Sequence, residues 1–265
     1  MRIGLFYNRD IYAHAALNQL IPKLSDHDLG MFYSQRVGGA SQTRDPRLVA
    51  LAQVETDFAT APGLSFEALA SKSHCREIAI TDINGSDLNV LREFDADLLI
   101  SIRFGQIFKG EAIAQPRTGI INLHSGLLPE YKGVMASFWS LLNEEPRLGT
   151  TLHWITDKKI DSGALISTRS QPVRSSDPYR KQVLSLYRPG VEQICEAVDQ
   201  LESLASTKGD DLPAGAYYSF PTTEDIDQFE ALGWRLSSIP LRRHDGLLEG
   251  CRRQPLETAT RSLSV

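Results

Sequence analysis

GIINLHSGLLPEYKG, residues 119–133, begins as an unbroken apolar run and turns, from Ser125 onward, into an irregular loop punctuated by Gly126, Pro129 and Gly133. A short apolar run bounded by turn residues reads as a strand buried on both faces. IGLFY at 3–7, LGMFYS at 29–34, EIAI at 77–80 and DLLISI at 97–102 have the same character. Amphipathic stretches between them predict helices over about 14–24, 65–72 and 86–94. Strands alternating with crossover helices predict an α/β chain with a doubly wound, mostly parallel sheet. Residues 35–63, which hold Gly38, Gly39, Pro46, Pro62 and Gly63, read as loop. Downstream, a helix is expected over 135–143 and a strand pair over 150–156 and 164–173, followed by a long helical segment over 177–205. The Lys-Gly-Asp-Asp run at 208–211, followed by Pro213, marks a linker. The expected organisation is therefore a catalytic domain over 1–207 and a C-terminal appendage over 208–265.

Composition narrows the function classes. The 265 residues are 42% hydrophobic and 23% charged, and no window approaches the roughly 18 consecutive apolar residues of a membrane helix. MRIGLFYNRD meets polar and charged residues too early for a secretory signal, so the expected compartment is the cytoplasm. A net charge of −5 with dispersed basic residues gives no footprint for phosphate-backbone binding, which argues against nucleic acid as a partner. Cys75, Cys195 and Cys251 form no CxxC pair and suggest neither a disulfide framework nor a metal site. The turn after the first strand, YNRDIY, lacks a dinucleotide or P-loop glycine pattern.

In an open parallel sheet, ligands bind beyond the carboxyl ends of the strands, where Asn122 and His124 lie. Strand alternation points both to one side, so one reacting atom can sit near both. An Asn amide can donate to a developing oxyanion, and an imidazole can move a proton or donate to the same oxygen. The bland reading is a strand end with a loop-capping histidine. GTTLHWITDKKIDSGALI, residues 149–166, supplies Asp161 from a polar loop between two strands; folded over His124 it would orient the imidazole or a relaying water, while Asp and Gly in a hairpin explain themselves as turn residues. His153 reads as a strand residue, and His14, His27, His74 and His244 as surface or capping residues. Ser125 beside His124 raises a hydrolase reading, against which stand the missing GxSxG elbow and the opposite faces of adjacent strand residues.

The combination of Asn-Leu-His, Leu-Leu-Pro-x-Tyr-Lys-Gly and the later Ile-Asp-Ser-Gly resembles the catalytic domain of the folate-dependent formyltransferases, clearly over about 97–170. The resemblance implies a Rossmann-like formyltransferase fold, with Asn122, His124 and Asp161 as the catalytic residues and 10-formyltetrahydrofolate as formyl donor, without a metal. It further implies that Phe104, Gln106, Ile107 and Phe108 line the pteridine pocket, largely through backbone groups, and that Thr156, Asp157 and Lys158 close over it. Gly126 stands where the family usually has serine, and the first turn lacks the glycine-rich opening of several branches, which leaves the acceptor side unassigned.

The implied reaction is N-formylation of a small amine-bearing metabolite. A nucleotide-linked amino sugar is the leading acceptor, and a hydroxyornithine-type siderophore precursor its rival. A 10-formyltetrahydrofolate hydrolase or a non-catalytic folate binder are the alternatives in other classes. The tail segment GAYYSFPTTEDIDQFEALGWRL, 215–236, groups Tyr217, Tyr218, Phe220 and Trp234, which favours packing onto the host domain over stacking on a ligand. Its acidic run from Glu224 reads as the first turn of a helix after Thr222 or Thr223. The long strand pair and the aromatic tail together leave room for a homodimer contact.

Overall fold

The computed structural model describes residues 1–35, 44–57 and 61–238. Its elements run β1 (Arg2–Tyr7), α1 (Ile11–Leu20), β2 (Asp28–Ser34), α2 (Pro46–Thr56), α3 (Phe66–Lys72), β3 (Glu77–Ile80), α4 (Leu88–Phe94), β4 (Leu98–Ile102), α5 (Gly110–Ala114), β5 (Gly119–His124), β6 (Lys132–Gly133), α6 (Ala136–Leu142), β7 (Arg147–Ile155), β8 (Leu165–Pro172), α7 (Tyr179–Asp199), α8 (Leu201–Ser206), β9 (Tyr217–Tyr218) and α9 (Thr223–Ala231). Seven strands form one sheet in the order β3-β2-β1-β4-β5-β7-β8. The pairs from β3 to β5 are parallel, and β7 and β8 return antiparallel. The strand order reverses between β1 and β4, which opens the crevice where ligands of such sheets bind.

Alternation along the central strands builds two apolar layers. Ile3, Leu5 and Tyr7 of β1, with Leu98 and Ile100 of β4, face α1 and α7, while Phe6, Leu99 and Ile120 face α4 and α5. Asn122 and His124 share the parity of Ile120 and so leave β5 on the second side.

Two expectations about the helices are corrected. Residues 46–56 form α2 where loop was expected, because Pro46 stands at the first helical position, where its fixed φ favours a helix, and Asp45 caps it by accepting from the Arg47 N–H at 2.7 Å. The expected 177–205 helix breaks at Gln200 into α7 and α8.

The tail is built into this body. β9 pairs with β6 just after the loop that follows β5, Lys132 opposite Tyr217 and Gly133 opposite Tyr218. α9 opens with a reciprocal capping box between Thr222 and Asp225, as its sequence suggested. Phe229 on its inner face stacks on Phe138 of α6 at 4.4 Å. Arg47 of α2 reaches Asp227 at 2.8 Å and Glu230 at 2.9 Å, tying the tail to a second helix. Cys251, His244 and the Arg242-Arg243 and Arg252-Arg253 pairs lie outside the described residues.

Candidate active site

β5 carries Asn122 and His124 to the rim of the crevice, and β7 returns beside it with Asn122 opposite His153. Asp161 comes from the β7–β8 connection with φ at 50°, a left-handed conformation that a non-glycine residue adopts only when its surroundings hold it there. It is held by the Gly133 N–H, which donates to its Oδ2 at 2.8 Å. That oxygen lies 3.4 Å from His124 Nδ1, and Oδ1 lies 3.5 Å from His153 Nε2. His124 Nε2 donates to the Tyr131 carbonyl at 2.8 Å; a carbonyl only accepts, so this nitrogen carries a proton. By the same reasoning His153 is protonated at Nδ1, which donates to the Trp154 carbonyl at 2.8 Å. Its Nε2 then sits 3.1 Å from the Asn122 amide nitrogen. The structure thus brings Asn122, His124 and Asp161 together and adds His153, which had read as a strand residue.

Burial would raise the Asp161 carboxyl, but the charge of His124, the neighbouring His153 ring and the Gly133 N–H outweigh it and hold the pKa at about 2. Asp161 is therefore an anion at neutral pH. The His124 Nδ1 contact to it is longer than a good hydrogen bond, so a proton there remains accessible to a reacting atom.

Gly126 has a geometric reason. A Cβ at this position would come within 2.5 Å of Ala136 Cβ and 2.6 Å of His124 Nε2. A serine in this backbone would press on the very imidazole that the Tyr131 carbonyl fixes. Gly133 is equally constrained: its φ is 93°, and an added Cβ would lie 2.2 Å from the Tyr218 carbonyl oxygen.

These groups open onto a cavity of about 1310 Å³. Its lining includes Phe104, Ile107, Phe108, Trp154 and Ile155, together with Gln106 and Asp157. Phe104 and Phe108 pack on Phe6 with centroids 5.1 and 5.4 Å away. The Gln106 side chain is spent on structure: it accepts from the Ile83 N–H and donates to Ser34 Oγ and the Ile80 carbonyl. Thr156 and Lys158 do not line the cavity; Thr156 Oγ1 donates to Asp211 at 2.8 Å, and Lys158 is exposed. Lys159 and Ile160 stand there instead.

The lining also carries polar groups: Asn8, Arg9, Asp10, Arg44, Glu55 and Arg103 are part of it, and the tail contributes Tyr217, Ser219 and Phe220. Burial raises the Glu55 carboxyl, against the pull of the Arg103 charge and the Tyr12 hydroxyl. Among the described residues no helix is long and apolar enough to cross a membrane, and no cluster of side chains has the makings of a metal site.

A sequence profile for formyl transferases matches residues 74–189. Methionyl-tRNA formyltransferase from Listeria welshimeri is 33% identical over 113 residues, 43% of this chain and 36% of that protein. The chain therefore spans about a third of the length of such relatives. Among solved structures, a sugar N-formyltransferase from a Shewanella species superposes with a TM-score of 0.58 at 18% identity over 88% of both chains. An N-formyltransferase from Helicobacter canadensis, in complex with folinic acid and dTDP-3-aminofucose, superposes with a TM-score of 0.57 at 20% identity over 85% of this chain and 71% of that one. At these identities the likeness establishes the fold, a Rossmann-like one shared with formyltransferases. Residues 74–189, which contain Asn122, His124, His153 and Asp161, are the stretch that is similar to the formyl transferases.

Proposed function

We propose that the protein moves a formyl group from 10-formyltetrahydrofolate to the amine of a small metabolite, with a nucleotide-linked amino sugar as the leading acceptor. The observation that carries this reading is the convergence of Asn122, His124 and an ionised Asp161 at one strand end, on the rim of a cavity lined by both apolar and polar groups. The cosubstrate supplies a formyl carbon activated by its bond to N10. The ring system fits the wall formed by Phe104, Ile107, Phe108 and Trp154, and the acceptor fits the polar groups of the lining.

The acceptor must arrive as the free amine, since only its lone pair can attack the formyl carbon. In the tetrahedral species that results, the oxyanion lies within reach of the Asn122 amide and the His124 Nδ1 proton. Asp161 lies beside the ring and helps hold it in place, and it can take the amine's proton through a water. Collapse breaks the bond between the formyl carbon and N10, and N10 leaves with the proton taken from the amine and relayed through that water, while the new amide departs. Preorganised donors of this kind contribute on the order of 10²- to 10³-fold each to rate.

The tail segment 208–265 is assigned here to acceptor selection. Tyr217, Ser219 and Phe220 lining the same cavity support that role. The Helicobacter canadensis protein, whose complex holds a folate and an amino-sugar nucleotide together, supports the acceptor class. The test is incubation of purified protein with 10-formyltetrahydrofolate and a pool of amino-sugar nucleotides, amino acids and hydroxyornithine, with mass spectrometry for a formylated product and His124→Ala as control. A product formed by the wild type alone establishes the reaction and its acceptor. Folate binding without transfer to any amine would sink the reading.

A further inference from the structure

Arg103 is the residue that the reaction leaves unused. It follows β4 directly, at the β1–β4 reversal of strand order, and one step beyond the pair Ile102–Leu123, level with His124 on the neighbouring strand. Regular extension would send its side chain to the same face as Ser101. Instead φ is 59°, a left-handed value that redirects the side chain towards α1. There Nε donates to Asp10 Oδ2 at 2.7 Å, and the guanidinium lies over the Tyr12 ring at 4.4 Å. One bond and one stacking contact fix the plane of the fork.

Among the described residues Nε makes the well-formed carboxylate bond of this guanidinium, and the Tyr187 hydroxyl lies against it. The side chain keeps 26% exposure, and that exposure is to the cavity that also holds His124. Asp10 does not cancel its charge fully. Asp10 Oδ1 caps α1, accepting from the N–H groups of Tyr12 at 3.0 Å and Ala13 at 2.9 Å, so part of that negative charge is spent on the helix end. Arg9 nearby is engaged with Glu67 and Glu77, and Arg44 is stacked on Phe220. On the same wall the Asn8 Oδ1 is buried without a partner, a polar group whose complement the described residues do not supply.

We propose that Arg103 grips an oxyanion of the acceptor, a carboxylate or a phosphate, in the fork of its Nη groups, and so determines which amines reach His124. A planar fork already held by Asp10 and Tyr12 matches the two oxygens of either group. Arg103 follows β4, one strand spacing of about 4.8 Å from β5, and its side chain turns away from β5 towards α1. Glu55, bonded to Tyr12 at 2.5 Å and lining the same wall, offers its other oxygen to a hydroxyl or ammonium on such a ligand. The inference rests on the formyl-transfer reading only for the fate of the amine; the anion site itself is defined by Arg103.

Titration calorimetry on the full chain tests it with two families of probes. UDP, dTDP and GDP are compared with their nucleosides, and L-ornithine with its methyl ester. In the wild type one anionic family binds at least about tenfold more tightly than its neutral counterparts, as expected for a charge-assisted pair. Which family does so distinguishes a phosphate from a carboxylate. Arg103→Met abolishes the preference and Arg103→Lys reduces it. If circular dichroism shows Arg103→Met unfolded, the wild-type pairs and Arg103→Lys decide. Equal binding of charged and neutral probes by the wild type, no binding of any anion, or a preference intact in a folded Arg103→Met overturns the proposal. Quenching of wild-type tryptophan fluorescence by 5-formyltetrahydrofolate is read separately, so loss of the folate reading and loss of the anion site are told apart.

Discussion

Gly126→Ala adds one methyl group where the structure has no room for it. The added Cβ would lie 2.5 Å from Ala136 Cβ and 2.6 Å from His124 Nε2, about 1 Å inside an ordinary van der Waals contact on each side. Ala136 begins α6 and has Cβ packing behind it, so the looser neighbour is the imidazole, whose Nε2 is held by a single 2.8 Å bond to the Tyr131 carbonyl. A shift of about 1 Å in a catalytic group costs on the order of 10²-fold in rate, and overpacking costs about 1–3 kcal/mol in stability. The expected outcome is a kcat lower by about two orders of magnitude, a folate Kd little changed, and a modest loss in urea stability. Adding Ala136→Gly relieves one contact and leaves the other, so stability should recover more than kcat does. A Gly126→Ala enzyme with wild-type kcat would refute the account, and would show that the backbone, rather than His124, gives way at the position where the family usually carries serine.

Three further outcomes follow from the same geometry. The Asp161 carboxyl is held at about 2 against 3.8 in an unfolded chain, so it contributes stability above pH 3.8 that is lost as pH falls towards 2. At about 1.4 kcal/mol per pKa unit, the stability gap between wild type and Asp161→Asn in urea melts should shrink by about 2 kcal/mol across that window, and a constant gap would contradict the pairing. His153→Leu removes the acceptor of the Asn122 amide and one neighbour of Asp161; kcat should fall by about tenfold or more with KM little changed, and an unchanged kcat would make His153 merely a strand residue. Phe229→Ala empties a fully buried ring stacked on Phe138 and should cost about 3–5 kcal/mol in denaturant unfolding, whereas a loss below about 1 kcal/mol would mean the tail is only loosely attached.

The sheet was legible because β1 to β5 are short apolar runs whose ends carry turn residues, and burial on both faces leaves that mark on sequence. α2 was not, since Pro46 looks like a breaker until Asp45 before it is seen as a cap. That Asn122, His124 and Asp161 would come together was legible through their motif and spacing. His153 was hidden because alternation within β7 says nothing of which strand lies beside it; only the antiparallel return sets it opposite Asn122. Arg103 was hidden for a related reason: a left-handed φ at a strand end reverses the side that period-2 reasoning assigns. Thr156 and Lys158 show the converse, since a loop close in sequence to the site sends alternate residues outward.

The tail is best understood through the two bonds that fix His124 and Asp161. The Tyr131 carbonyl orients His124, and the Tyr131 ring stacks on Tyr218 at 5.6 Å. The Gly133 N–H orients Asp161, and Gly133 pairs with Tyr218 in the β6–β9 ladder, where the Val134 N–H donates to the Tyr218 carbonyl at 2.8 Å. One tail residue thus bears on both partners of the catalytic pair from behind, while Tyr217 and Phe220 beside it face the cavity. A loop following a strand end is ordinarily the most mobile part of such a fold. Here a strand pairing across more than 80 residues of sequence holds it, which couples the placement of His124 and Asp161 to the tail segment that lines the same cavity.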